Sequence, residues 1–221
     1  MQHLDQELNA LKQALLDMAA KAKGVVEKAV ASVINRNDEA AHEVKKDDDA
    51  IDQLEVDVDE KALLLLSKAP LAGQLRLITV AMKISQNLER VGDEATTIAR
   101  RAIELTKEPP LKASTNLPHM AKLTIQMIDD ALLAFVQGNV DHARELVRHD
   151  KVVDDLNRQL HRELTQGMQQ DPSTITRALN LMVVSKSLER IADHAANIAE
   201  EAVFLYSAED VRHANLPRPK A

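Results

Sequence analysis

Apolar residues recur along the chain at alternating steps of three and four, the spacing of one buried face on an α-helix. The first stripe runs Leu4, Leu8, Leu11, Leu15, Met18, Ala22, Val25 and Ala29 and predicts a single long helix. It stops at Asn35-Arg36-Asn37-Asp38, which supplies turn residues and an N-cap for the next helix. A second stripe (Val44, Ile51, Leu54, Val58, Leu65) ends at Ala69-Pro70-Leu71-Ala72-Gly73. The third is the most regular: Leu77, Ala81, Ile84, Leu88, Val91, Ala95, Ile98, Ala102 and Leu105. Lys107-Glu108-Pro109-Pro110 breaks the chain there, and the turn-prone stretch to Pro118 reads as a linker. Three further helices follow. One covers roughly Met120 to Val136, ending at Gln137-Gly138-Asn139, and the next roughly Asp141 to Met168 with Val153, Leu156, Leu160 and Leu164 inward. The last starts near Asp171-Pro172-Ser173 and turns Leu181, Val184, Leu188, Ile191, Ala195, Ile198, Ala202 and Leu205 inward.

The two halves repeat one another. Met82 to Ala102 reads MKISQNLERVGDEATTIARRA and Met182 to Ala202 reads MVVSKSLERIADHAANIAEEA, with about half the positions identical. Turns match as well as helices, Asn37 with Asn139 and Pro70 with Pro172. The expected fold is therefore all-α, six long helices forming two tandem three-helix bundles related by an internal repeat. Residues 1–109 form the first repeat, 110–214 the second, and 215–221 a C-terminal tail.

Composition sharpens this picture by exclusion. The chain has 221 residues, 45% hydrophobic and 29% charged, yet only three aromatics (Phe135, Phe204, Tyr206) and five glycines, which leaves little for a sheet core. A net charge of −7 argues against nucleic acid as a partner, and the missing aromatics argue against base stacking. There is no cysteine, so thiolate metal sites and Cys nucleophiles are excluded. The N-terminus lacks the marks of a signal peptide, and the longest apolar run, 62–66, is far short of the roughly 20 residues of a membrane span. A cytoplasmic location without membrane insertion is expected.

Carboxylates are the candidate chemistry. Each third helix carries a pair four residues apart, Glu89 with Asp93 and Glu189 with Asp193. Each second helix carries another, Asp48 with Asp52 and Asp150 with Asp154. Such pairs share a helix face and repel by about 0.2–0.5 kcal/mol each. Four of them at matched positions make sense if a multivalent cation lies between facing pairs. Oxygen donors suit Mg²⁺, Mn²⁺ or iron, and Zn²⁺ less well. Asn197 and Glu200 continue the stripe in the second repeat, where the first has Thr97 and Arg100, so the second repeat is the better site. Among ion pairs, Asp154 can reach Arg158 and Asp49 can reach Lys45. Only Glu39-Ala-Ala-His42 matches a di-iron Glu-x-x-His, and no phosphate loop or nucleophile elbow occurs.

Leu88-Glu89-Arg90-Val91-Gly92-Asp93 and Leu188-Glu189-Arg190-Ile191-Ala192-Asp193-His194-Ala195-Ala196-Asn197-Ile198-Ala199-Glu200 resemble the duplicated signature of the PhoU family. The acidic pairs of the second helices and the ending Ala208-Glu209-Asp210-Val211-Arg212-His213 are similar to that family too. The resemblance implies a cytoplasmic, often homodimeric, non-catalytic regulator of phosphate uptake and phosphate-starvation signalling. Its implied partners are the ATPase subunit of the phosphate ABC transporter and the phosphate sensor histidine kinase, both restrained when phosphate is plentiful. It also implies metal (Fe, Mn, Mg or Zn) at Asp48, Asp52, Glu89, Asp93, Asp150, Asp154, Glu189 and Asp193. The first half departs from the fuller motif with Glu94, Thr97 and Arg100 in place of His, Asn and Glu. The alternative reading is a carboxylate-bridged metalloenzyme performing phosphoester hydrolysis or oxygen chemistry.

Overall fold

A computed structural model describes residues 2–68, 71–111 and 116–212. Six long helices form in the expected order: α1 (Gln2–Asn35), α2 (Asp38–Leu66), α3 (Ala72–Thr106), α4 (Leu117–Gln137), α5 (Val140–Gln170) and α6 (Ile175–Ser207). One 3₁₀ turn, Pro172–Thr174, leads into α6. The apolar stripes become the core. Every position of the third stripe from Leu77 to Leu105 is buried, as are Leu8, Leu11, Leu15 and Met18 on α1. Leu54, Leu156 and Leu205 lie at the edge of the core, packed against it but only partly covered.

Local chemistry sets the helix ends. Asn37 caps α2 by accepting the N–H of Ala40, and Asn139 caps α5 by accepting that of His142. Gly138 ends α4 in the left-handed conformation at φ 67°, and the Tyr206 ring lies against it while the Tyr206 hydroxyl donates to the Phe135 carbonyl. Arg36 donates to the Leu105 and Glu108 carbonyls, covering acceptors that the C-terminus of α3 leaves open. Arg177, from the other repeat, donates to the Pro109 carbonyl and pairs with Glu108. One arginine from each half thus holds the start of the linker. Its residues 112–115, like the tail 215–221, lie outside the described residues.

Within each repeat all three helices pack together, α1 with α2 and α3, and α4 with α5 and α6. The halves join chiefly through α3 and α6, with α1 touching α4. The α3–α6 pairing is antiparallel. Going forward along α3, Lys83 meets Glu201, Asn87 meets Asn197, Glu94 meets Arg190 and Arg101 meets Asn180. The result is a row of four helices, α2–α3–α6–α5, with α1 and α4 behind it. Both acidic grooves, α2–α3 and α5–α6, belong to this row.

Candidate metal centre

In the second repeat three of the four expected carboxylates come together. Oxygen atoms of Asp150 and Asp154 on α5 and Asp193 on α6 all lie within 4.8 Å of one another. The fourth carboxylate, Glu189, is one turn before Asp193, buried, and paired with Lys186. This clustering has an electrostatic cost that shows in the acidities. Asp193 is pushed up to about 6 by burial first, then by the charges of Asp150, Glu189 and Asp154. Asp150 is raised by burial and then by Asp154 and Glu189. Its Oδ1 is buried with no hydrogen-bond partner. A buried carboxylate oxygen that no protein donor satisfies, beside two more carboxylates, is a geometry that one divalent cation relieves.

The donor set is oxygen-only, which fits the hard cations Mg²⁺ and Mn²⁺, and iron, better than Zn²⁺. When bound, such an ion supplies positive charge that cancels the repulsion and ties α5 to α6. Asn197 and Glu200 stand apart from the trio. The Asn197 amide donates to Asn87 on α3, and Glu200 contributes to the field around the Arg212 guanidinium. The expected Asp154–Arg158 pair is replaced by Asp155–Arg158 at 2.8 Å, because Asp154 turns toward the cluster while Asp155 faces solvent beside the arginine.

The first repeat is arranged differently. Among its described residues no three carboxylates share such a space. Asp48 is turned inward and only 1% exposed, accepting the Thr96 hydroxyl at 2.9 Å, with Lys45 at 3.5 Å. Asp52 is exposed, and Asp93 is exposed and paired with Arg90. Glu89 is half-buried and also paired with Arg90, yet burial and then Asp93 push it up to about 7. Lys45 pairs with Asp49 as the spacing predicts. The eight candidate residues therefore divide. Three of the second-repeat four share one ligand-sized space, whereas the first-repeat four stand near enough for Asp52 and Asp93 to act on Asp48 and Glu89 but do not share such a space.

Thr96 and Gly92, which receive Asp48, carried no signal as site residues when read alone. Comparing aligned positions exposes them, since the second repeat has Ala196 and Ala192 there. A second unforeseen cluster is at the α3–α6 joint. Glu201 is buried and holds both Lys83, at 3.1 Å, and Arg212, at 3.3 Å. Lys83 and Arg76 also lie over the Phe204 ring.

Fold and site together define a tandem-repeat helical scaffold in which, among the described residues, three carboxylates gather between α5 and α6. The PhoU domain family matches the chain twice, over residues 15–102 and 117–202, and the chain belongs to that family. It is 40% identical over 214 residues to the "Phosphate-specific transport system accessory protein PhoU homolog" of Aquifex aeolicus, covering 96% of this chain and 97% of that one. The protein of the same description from Pseudomonas aeruginosa is 38% identical, over 99% of this chain and 93% of its own. The crystal structure of PhoU from Pseudomonas aeruginosa superposes with a TM-score of 0.90 at 36% identity, covering 93% of this chain and 99% of that one. The phosphate transport system regulatory protein PhoU from Streptococcus pneumoniae gives 0.87 at 28% identity, over 94% and 99%. No helix among the described residues is long and apolar enough to cross a membrane.

Proposed function

We propose that this chain is a non-catalytic, cytoplasmic regulatory accessory of phosphate uptake. It restrains a phosphate ABC transporter through the ATPase subunit, and holds the sensor histidine kinase in its repressing state when phosphate is plentiful. The observation that carries this reading is the pair of PhoU domains spanning most of the chain, in company with relatives described as accessory proteins of phosphate-specific transport. Those relatives are named for an accessory role and not for a reaction, which favours a regulator over an enzyme. A homodimer is the working assembly.

In this reading the second repeat holds a divalent or iron-type ion through Asp150, Asp154, Asp193 and Glu189. The orphaned Asp150 oxygen and the raised pKa values of Asp150 and Asp193 support it. The ion acts as a staple between α5 and α6. Deleting the gene and following a phosphate-starvation reporter in phosphate-rich medium tests the role. Derepression is expected, and full repression in the deletant would overturn it. Elemental analysis of the purified wild type against Glu189→Gln/Asp193→Asn tests the ion separately. Equal metal content would remove the site and leave the regulator.

A further inference from the structure

Asp48 and Asp150 hold matching places in the two repeats, and each has a buried Oδ1 without a hydrogen-bond partner. Only Asp150 shares one 4.8 Å space with two further carboxylates, while Asp48 is held inward by Thr96. The backbone is helical at both places, so the cause is in what each carboxylate meets. Against Asp48 stand Gly92 and Thr96, one turn apart on α3 and both buried. A methyl group on residue 92 would overlap the Asp48 Oδ1 atom and come within 3.1 Å of the Ile51 Cδ1. The absent side chain at 92 therefore makes the room that Asp48 fills, and the Thr96 hydroxyl supplies the donor that retains it there. Lys45 adds a cation at the rim.

The second repeat lacks all three features. The residue aligned with Gly92 is Ala192, fully buried, and the one aligned with Thr96 is Ala196. At the offset that relates Asn37 to Asn139, Lys45 corresponds to Val147. Asp150 has neither the space nor the hydroxyl, and it joins Asp154 and Asp193 instead. Resting on the cation reading above, we infer that the residue pair at 92 and 96, against 192 and 196, decides which repeat binds metal. Gly92 and Thr96 withdraw Asp48 into a closed slot and convert the first repeat's acid into a structural post. Ala192 fills the equivalent slot and Ala196 offers no hydroxyl, which together keep Asp150 available as a ligand. These four are positioning residues, acting through the aspartates.

Mn²⁺ alone, added to the full chain and measured by equilibrium dialysis, gives the test in both directions. Asp193→Asn should lose Mn²⁺ binding. Adding Gly92→Ala and Thr96→Ala to that variant expels Asp48 toward Asp52, Glu89 and Asp93, and Mn²⁺ binding should return. The reverse exchange, Ala192→Gly with Ala196→Thr in the wild-type background, should weaken binding by about tenfold or more, as loss of an orienting contact does. Far-UV circular dichroism on each variant separates unfolding from loss of the site. If Asp193→Asn abolishes binding but neither exchange moves Mn²⁺ in natively helical protein, the positioning inference is overturned while the site stands. Full Mn²⁺ retention by Asp193→Asn overturns the site and the inference together.

Discussion

Asp193→Asn in metal-free protein should make the fold more stable, the opposite of the usual effect of disturbing a half-buried polar cluster. The asparagine side chain keeps the shape of aspartate and removes the charge. Asp193 is displaced from its ordinary 3.8 to about 6. At about 1.4 kcal/mol per pKa unit, that displacement corresponds to roughly 3 kcal/mol of unfavourable interaction in the charged, folded state at neutral pH. Its neighbours Asp150, Asp154 and Glu189 share the relief, so a gain of about 2–3 kcal/mol is expected. In a chain of this size each kcal/mol moves Tm by roughly 2–4 °C, giving a rise of about 4–12 °C for the variant without metal. Mn²⁺ reverses the order of gains. At about a hundredfold excess over Kd, wild type gains about 2.7 kcal/mol by mass action, and the variant, short of a ligand, gains little. Thermal and urea unfolding with chelator and with Mn²⁺, followed by circular dichroism, reads both effects. A variant less stable than wild type in chelator, or one with an undiminished Mn²⁺ response, would refute the idea that the cost of burying Asp193 among like charges is held in reserve for a cation.

The pH dependence has a definite sign. Asp193 and Glu89 have folded-state pKa values of about 6 and about 7, above their ordinary ones, so the folded state binds more protons. Their contribution to metal-free stability is full below about pH 4 and lost as pH rises to those values, so unfolding free energy in chelator should fall between about pH 4 and pH 7 and level off above. Mn²⁺ affinity, measured by titration calorimetry, should move the other way and weaken as pH drops below about 6, because Asp193 and Asp150 must give up protons to bind. Gly138→Ala places a Cβ on a backbone at φ 67° and 3.1 Å from the Tyr206 ring, so urea denaturation should show a loss of about 1–2 kcal/mol. Glu201→Ala removes the buried carboxylate shared by Lys83 and Arg212. Both cations retain access to water, so the loss should be about 1–3 kcal/mol, with faster amide exchange along the α3–α6 seam. No change in either quantity would show that the joint is held by apolar packing alone.

The six helices and their order were legible because helix formation is local. A three-four apolar stripe, an asparagine cap and a proline or glycine stop act within a few residues of themselves, so Asn37, Gly138 and Pro172 mark boundaries that the structure keeps. The duplication was legible for a related reason, since matched helices and matched turns require no knowledge of packing. The acidic pairs were legible as candidates, being neighbours on one helix face by spacing alone.

Which of those pairs meet across helices was not, because it turns on contacts between residues far apart in sequence. Asp48 and Thr96 are separated by 48 positions, Lys83 and Glu201 by 118, and Asn87 and Asn197 by 110. One hydrogen atom in place of a methyl at residue 92 is too small a feature to stand out in a hydropathy pattern. It matters only once α2 is pressed against α3 and the Asp48 carboxylate needs somewhere to go. The chain by itself therefore determined its helices, its repeat and the supply of carboxylates, all set by short-range rules. Tertiary packing decided that the second repeat gathers its acids and the first buries one of them, because side-chain direction at a helix seam depends on the volume left by the facing helix.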